Sequence, residues 1–234
     1  VRPRFWVART TQNSLELARL WPDFFASLVN SLIITLGATA LTVIASALAG
    51  WVYARRRSRL LTSSAFFMVL VRMFPPIVIT LPLFPVVNAI GLSDTHLVLV
   101  LLYAAFFVSL GTWIMKAFVD QVPREFEEAA EVDGASLWQM LRLVIVPLAV
   151  PGMIAAAVFI FVFAWNEFLF AFVFTTTRAR TAPLIISEML GSVTGVDWGP
   201  VFAAATIQLV PVLLFVVLLQ RHLVAGLTAG GVKG

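Results

Sequence analysis

The chain has 234 residues, of which 61% are hydrophobic and only 12% charged, with a mean hydropathy of +0.99. Soluble domains average about 45–50% apolar and about 25% charged, so a soluble fold of this size is excluded and the class is integral membrane. The net charge of +4 is read as loop placement rather than nucleic-acid binding, and the absence of cysteine rules out a disulfide framework or a thiolate metal site.

Residues 1–26 contain no compact apolar core of a signal peptide and are expected to form an external segment. Crossing the hydrocarbon layer takes about 20 apolar residues. The first uncharged run, Phe24–Ala54, exceeds that, and Leu28–Tyr53 is its expected membrane part. The second, Met73–Ser93, is expected to begin near Ser63 and so to take in Arg72. Pro75, Pro76, Pro82 and Pro85 predict that this span is kinked or broken, which is tolerated where the backbone lines protein or a cavity. Leu97–Met115, Leu143–Asn166 and Trp198–Gln220 complete five crossings. The runs are continuous rather than alternating and too long for barrel strands, so the fold class is an all-α, polytopic helical bundle, with its transmembrane domain over 27–222 and a tail over 223–234.

Arg55, Arg56, Arg57 and Arg59 follow the first span and mark the cytoplasmic side. The segment Lys116–Arg142 and the tail from Arg221 then lie inside, and the loops around Asp94 and between Thr175 and Gly199 lie outside. Arg2, Arg4, Arg9, Arg19, Arg178 and Arg180 fall outside, so the charge bias is modest. An outside start is explained by a further span upstream of Val1, making six.

Lys116–Arg142 is the longest charged interval between two apolar runs. Pro123 suits a first helical turn, and Glu125, Glu127 and Glu128 favour its positive end. Gly134 can end that helix in a left-handed conformation, and Ser136 with Gln139 reads as a capping box opening a second short helix. Phe126, Ala130, Leu137 and Leu141 are expected on one side. The prediction over 123–141 is two short helices along the inner membrane face, joined at Gly134, with Pro147 beginning the next span. Interfacial helices are usually rich in Lys and Arg, so this acidic pair suits a groove on a protein rather than lipid headgroups.

Glu128-Ala129-Ala130, three residues, Gly134, nine residues, then Val144-Ile145-Val146-Pro147 resembles the EAA motif of permease subunits of bacterial ABC importers. Val144 and Val146 are mild departures from that motif. Asn30-Ser31-Leu32, Trp51 to Arg55, Gly91 to Thr95, Trp165 to Leu169 and the tail from Gln220 are similar to the carbohydrate-uptake, maltose-transporter-like branch, smaller permease type.

The resemblance implies that Glu127, Glu128, Ala129, Ala130, Asp133 and Gly134 form a joint with a dimeric cytoplasmic ATPase. It implies that the tail, with Gly226, Gly230 and Lys233, contacts that ATPase. A second permease subunit, an extracytoplasmic solute-binding protein, membrane lipid and a sugar, of di- or oligosaccharide size, are the other implied partners. ATP and Mg would be bound by the ATPase, with no cofactor on this chain. The location implied is the bacterial inner membrane, multi-pass, with a cytoplasmic C-terminus. Arg72, Pro75, Pro76, Asn166 and Glu167 are candidates for a translocation path or gate, because ionisable residues in spans face a cavity or a partner. Arg72 is expected about 13 Å deep and Glu167 near the outer face, at about 1.5 Å per residue, so a direct pair is not expected.

The chain has no G-x-x-x-x-G-K-[ST] phosphate loop, so ATP hydrolysis is assigned to another chain. A membrane-embedded enzyme would need clustered His, Asp, Ser or Cys, but the two histidines, His96 and His222, have no ligand spacing. An independent secondary transporter or channel, or an ABC permease for a non-sugar solute, remains as the alternative function. No midplane ion ligands or inverted repeats support the former.

Overall fold

The longest apolar run becomes the longest helix. In the computed structural model, which describes residues 10–192 and 195–229 (side chains for 12–192 and 195–219), α2 covers Asp23–Arg55. At about 1.5 Å per residue it is about 50 Å long and outreaches the hydrocarbon layer. It begins ahead of the expected Leu28, because Asp23 stands in its first turn, where a carboxylate meets the positive helix end. Before it lies α1, Thr10–Leu20, inside the segment expected only to be external. Leu17 of α1 is fully buried in a small second core with Phe24, Ile185, Met189 and Val201.

One face of α2 is a stripe of small residues: Ser27, Ser31, Thr35, Ala38, Thr39, Thr42, Ser46 and Gly50 are all buried. Apolar tails on both sides leave no hydrophobic drive between helices in lipid, so close approach of small residues supplies the packing. The facing helix is α5, His96–Val119. A Cβ on Gly50 would stand 2.6 Å from Met115 Cβ and 2.8 Å from the Lys116 backbone nitrogen. Gly111 of α5 lies as closely against Ser46. The main core joins Ile34 and Ala38 of α2 to Leu99, Tyr103 and Met115 of α5.

The broken second span is present. α3, Arg59–Met73, and α4, Pro76–Ala89, meet at 94°. Ser58 caps α3 by accepting the Leu61 N–H, and the break falls where Pro75 and Pro76 supply no N–H. Phe74 is extended (φ −73°, ψ 136°), as a residue before proline prefers. Pro82 and Pro85 lie within α4. None of the residues of α3 is buried.

After α5, α6 is Glu125–Val132 and α7 is Leu137–Met140. The capping box at Ser136 and Gln139 forms as expected. One expectation is corrected: α7 is not a separate helix along the membrane. It runs through a wider turn, Leu141–Ile145, in which the Val146 N–H reaches the Leu141 carbonyl, into α8, Val146–Trp165. Pro147 therefore does not begin the span; the continuous helix is Leu137–Trp165. Widening the turn accommodates a proline that cannot donate to the preceding turn. Close packing recurs here, since a Cβ on Gly152 of α8 would stand 2.6 Å from Phe118 Cβ.

The chain then forms α9, Leu169–Phe174, α10, Ala182–Leu190, and α11, Trp198–Ala229. The α11 backbone continues through Arg221 and Gly226, into the residues expected to form the tail over 223–234. Gly230 and Lys233 lie outside the described residues, as do Arg2, Arg4 and Arg9. Among the described residues, four helices are long and apolar enough to cross a membrane, and the bent α3–α4 pair, taken as one span, makes five. The described residues contain no strand.

Candidate functional site

At the C-terminal end of α2, α6 turns one face toward that helix. Glu127, expected on the joint with a partner, is on that buried face. Its carboxylate is held at both oxygens: Trp51 Nε1–H donates to Oε2 at 3.1 Å, and Arg55 Nε–H donates to Oε1 at 2.5 Å. Arg55 Nη2–H also donates to the Val122 carbonyl at 2.8 Å, just before α6. The Arg55 and Glu127 side chains are 9% and 11% exposed, so this ion pair is the chain's own and not available to a docked subunit. Ala130 packs with Leu141 against the main core.

The opposite face is open. Glu128, Ala129, Glu131 and Asp133 are exposed, and so are Phe126, Val132, Leu137 and Trp138. The expected apolar side of Phe126, Ala130, Leu137 and Leu141 is thus split, two facing in and two facing out. The inward position one residue after Phe126 is taken by Glu127, which has partners there. Gly134 adopts φ +77° between the two helices, with nothing within 4 Å of an added Cβ. Left-handed backbone at this point turns the chain from α6 into α7.

Midway along the bundle, Arg72 closes α3. Its guanidinium carbon lies 5.9 Å from the centre of the Phe106 ring. Phe106 in turn meets Phe170 edge-on at 5.6 Å. The Phe170 N–H is shared by Glu167 Oε1 and Oε2 at 3.0 and 3.2 Å. Arg72 is therefore linked to Glu167 through the Phe106 ring and then Phe170, whose ring meets Phe106 and whose backbone N–H meets the carboxylate. Glu167 follows α8 directly, and α9, about 9 Å long at about 1.5 Å per residue, lies between it and the Thr175 loop along the chain. Asn166 donates from Nδ2 to the Val162 carbonyl at 2.7 Å. Asn166 also lines an open cavity of about 370 Å³ with Trp165, Pro183, Gln208 and Leu209. Trp165 Nε1–H donates to the Gln208 carbonyl, while Gln208 Oε1 has no partner.

At the end of the bundle away from α6, two loops far apart in sequence close on Asp94. This residue has φ +58°, and its carboxylate accepts backbone N–H groups of Thr176, Thr177, Arg178 and Ala179 and the Thr177 hydroxyl. Desolvation pushes its pKa up, but these donors outweigh that and hold it well below the usual carboxylate range. Asn30 of α2 donates from Nδ2 to the Arg178 and Arg180 carbonyls at 2.9 and 3.0 Å, and its Oδ1 lies 2.7 Å from His96 Nε2. Arg180 pairs with Glu188. Of the arginines expected outside, Arg178 and Arg180 thus each have an acidic partner, Asp94 and Glu188.

Trp51, Arg55, Asn30 and Asp94 were not identified as site residues from sequence. The i, i+4 spacing of Trp51 and Arg55 puts them on one helix face, which is the signal that could have paired them. For Asn30 and Asp94 the partners are mostly backbone groups, all of them far away in sequence, as with the 84 positions between Asp94 and Arg178, and no local pattern announces such bonds.

The family described as binding-protein-dependent transport system inner membrane component matches residues 42–229. A similar protein is the trehalose transport system permease protein SugB of Mycobacterium tuberculosis (strain CDC 1551 / Oshkosh), 42% identical over 218 residues, covering 91% of this chain and 78% of that protein. The trehalose/maltose transport system permease protein MalG of Thermococcus litoralis is 37% identical over 212 residues, covering 90% and 76%. Among solved structures, a chain of a bacterial ABC transporter for import of the acidic polysaccharide alginate superposes with a TM-score of 0.71 at 19% identity, covering 85% of this chain and 74% of that one. A chain of the MetNI methionine ABC transporter, in an inward-facing conformation, gives 0.70 at 16% identity, covering 87% and 95%. These two likenesses concern the fold, and they agree with the expected ABC-importer permease bundle. With the family match spanning most of the chain, the protein belongs to the binding-protein-dependent transport family and is a multi-pass membrane permease subunit of an ABC importer.

Proposed function

We propose that this subunit passes a sugar of di- or oligosaccharide size across the inner membrane, driven by a dimeric ATPase docked beneath α6 and α7. The observation that carries the reading is the open face of that segment. Glu128, Ala129 and Asp133 offer small and acidic contacts, and Val132 (88% exposed) and Trp138 (67% exposed) offer apolar ones around the bend at Gly134. Exposed apolar side chains rimmed by carboxylates fit a protein groove and are repelled by anionic headgroups.

In this reading the ATPase binds ATP and Mg, and the tail, including Gly226, Gly230 and Lys233, reaches it on the cytoplasmic side. A second permease subunit completes the passage, and a solute-binding protein delivers cargo from outside. Arg72 beside the break at Pro75 and Pro76, with Asn166 and Glu167, borders the path. The half-exposed cation of Arg72 and the broken backbone beside it are supported where they face a cavity or another chain rather than lipid. The amide groups of Asn166 and Gln208 are of the kind that hydrogen-bonds sugar hydroxyls. The relatives named for trehalose and maltose support the choice of cargo. ATP and loaded binding protein must favour the same outward-open state for hydrolysis to drive uptake.

The test is reconstitution with the second permease, ATPase and binding protein in proteoliposomes, measuring uptake of labelled trehalose and maltose. Uptake that requires ATP and the ATPase is expected. Solute movement that persists without either would overturn the ABC reading, and ATP-driven uptake of non-sugar solutes alone would overturn the cargo.

A further inference from the structure

We propose that α2 is a strut joining the ATPase-facing segment to the outer loop, with Glu127 and Asn30 as positioning residues at its two ends. The inference rests on the coupling role proposed above and adds a route that chain connectivity does not supply. The covalent links of α6 lead back to α5 and onward to α7 and α8. Its side-chain tie leads instead to α2.

At the inner end, both oxygens of the Glu127 carboxylate are engaged by α2, through Trp51 and Arg55. Arg55 also holds the Val122 carbonyl, so α6 and the chain entering it are fixed to the same helix turn. A buried carboxylate left without hydrogen-bond partners is costly, so this tie resists separation. At the outer end, Asn30 holds the Arg178 and Arg180 carbonyls, and Ser31 Oγ accepts the Ala182 N–H at 2.9 Å. Asn30 and Arg55 are on one unbroken helix, about 38 Å apart at about 1.5 Å per residue.

Between these ends α2 is packed for stiffness. Gly50 and Gly111 bring it so near α5 that there is no room for a Cβ at either position. No proline interrupts it, unlike α4, α8 and α11. A displacement of α6 is therefore passed to the loop 175–182 as a movement of one rod. In the opposite direction, a protein settling on the outer loop shifts α6. Such linkage is reciprocal for binding free energies.

The experiment uses the complete transporter with its partner permease, ATPase and binding protein. It measures three quantities: ATPase recovered with the permease, basal ATP hydrolysis, and the stimulation of hydrolysis by loaded binding protein. Glu127→Ala and Asn30→Ala are each expected to retain ATPase and basal hydrolysis while stimulation falls about tenfold, within the range of coupling between distant sites. The double variant is expected to be no worse than the worse single one, because both cut one route. Trp51→Phe removes one N–H and is expected to give a smaller loss in the same quantity. It keeps the test decisive should Glu127→Ala fail to fold, and Glu127→Gln, which keeps an acceptor for Trp51, is expected to rescue part of the stimulation.

Stimulation unchanged in Trp51→Phe and Asn30→Ala, or single losses that multiply in the double variant, would overturn the strut. Loss of ATPase from the Glu127→Ala complex would also overturn it, since Glu127 would then act at the docking surface. A wild-type protein that shows no stimulation would instead refute the coupling role itself, so the two failures are distinguishable.

Discussion

Asp94 accepts the backbone N–H of Arg178 through both carboxylate oxygens, at 3.1 and 3.0 Å. The loop after α9 is thereby wrapped around a single side chain from the loop before α5. Because the folded pKa of Asp94 is depressed, the unfolded chain takes up a proton first as pH falls. The stabilisation is fully present above the unfolded value of about 4 and declines as pH drops below it toward the folded value. Asp94→Asn should cost about 1–3 kcal/mol, the range for hydrogen bonds to a charged group. Amide exchange at residues 176–179 checks this. The variant should lose protection at neutral pH, and its difference from wild type should shrink as pH falls below about 4.

Gly50 tests whether α2 and α5 must touch. Gly50→Val places its Cβ against Met115 Cβ and the Lys116 backbone nitrogen, neither of which is a flexible chain end. Overpacking of this kind costs about 1–3 kcal/mol. A lower unfolding temperature in detergent is expected. A variant as stable as wild type would mean that the helices are farther apart than described.

Gly134 separates conformation from contact. No neighbour lies within 4 Å of an added Cβ, yet φ is +77°. A β-branched residue there meets backbone strain of about 1–2 kcal/mol and no clash in the isolated chain. Gly134→Val should therefore leave the spans folded, as circular dichroism would report, while ATPase recovery or ATP-driven uptake drops. Gly134→Asn, tolerated in left-handed backbone, should retain more of both. Normal uptake and ATPase recovery in Gly134→Val would refute a role in coupling.

Arg72 can be separated from its fold. The contact with Phe106 has the geometry of a cation–π pair, which contributes about 0.5–2 kcal/mol. Arg72→Lys should keep much of it and much of the uptake. Arg72→Met fills similar space and should reduce uptake with little change in the quantity of folded protein. Equal transport in all three proteins would remove Arg72 from the path.

What the sequence revealed depended on how local the cause was. Hydropathy located the crossings, and the proline cluster anticipated the break between Met73 and Pro76, because each acts through its own backbone. The capping box at Ser136 and the left-handed Gly134 were readable for the same reason. The fusion of α7 with α8 was not, because Pro147 looks like a start signal and only the widened turn before it keeps the helix continuous. Glu127 looked like one more acid on a solvated helix. Its inward position depends on Trp51 and Arg55, 76 and 72 residues earlier, and on the angle at which α6 meets α2. Arg55 itself had already been accounted for by topology, which concealed a second use.

Two adjacent glutamates consequently answer to different constraints. Glu127 is bound by its own chain, so a change there acts first on its ties to Trp51 and Arg55. Glu128, Val132 and Trp138 meet nothing in this chain that would hold them to one identity. They are free to diverge with whichever subunit they face, so grafting the exposed side of α6 and α7 from one transporter to another could exchange its motor while leaving residue 127 untouched.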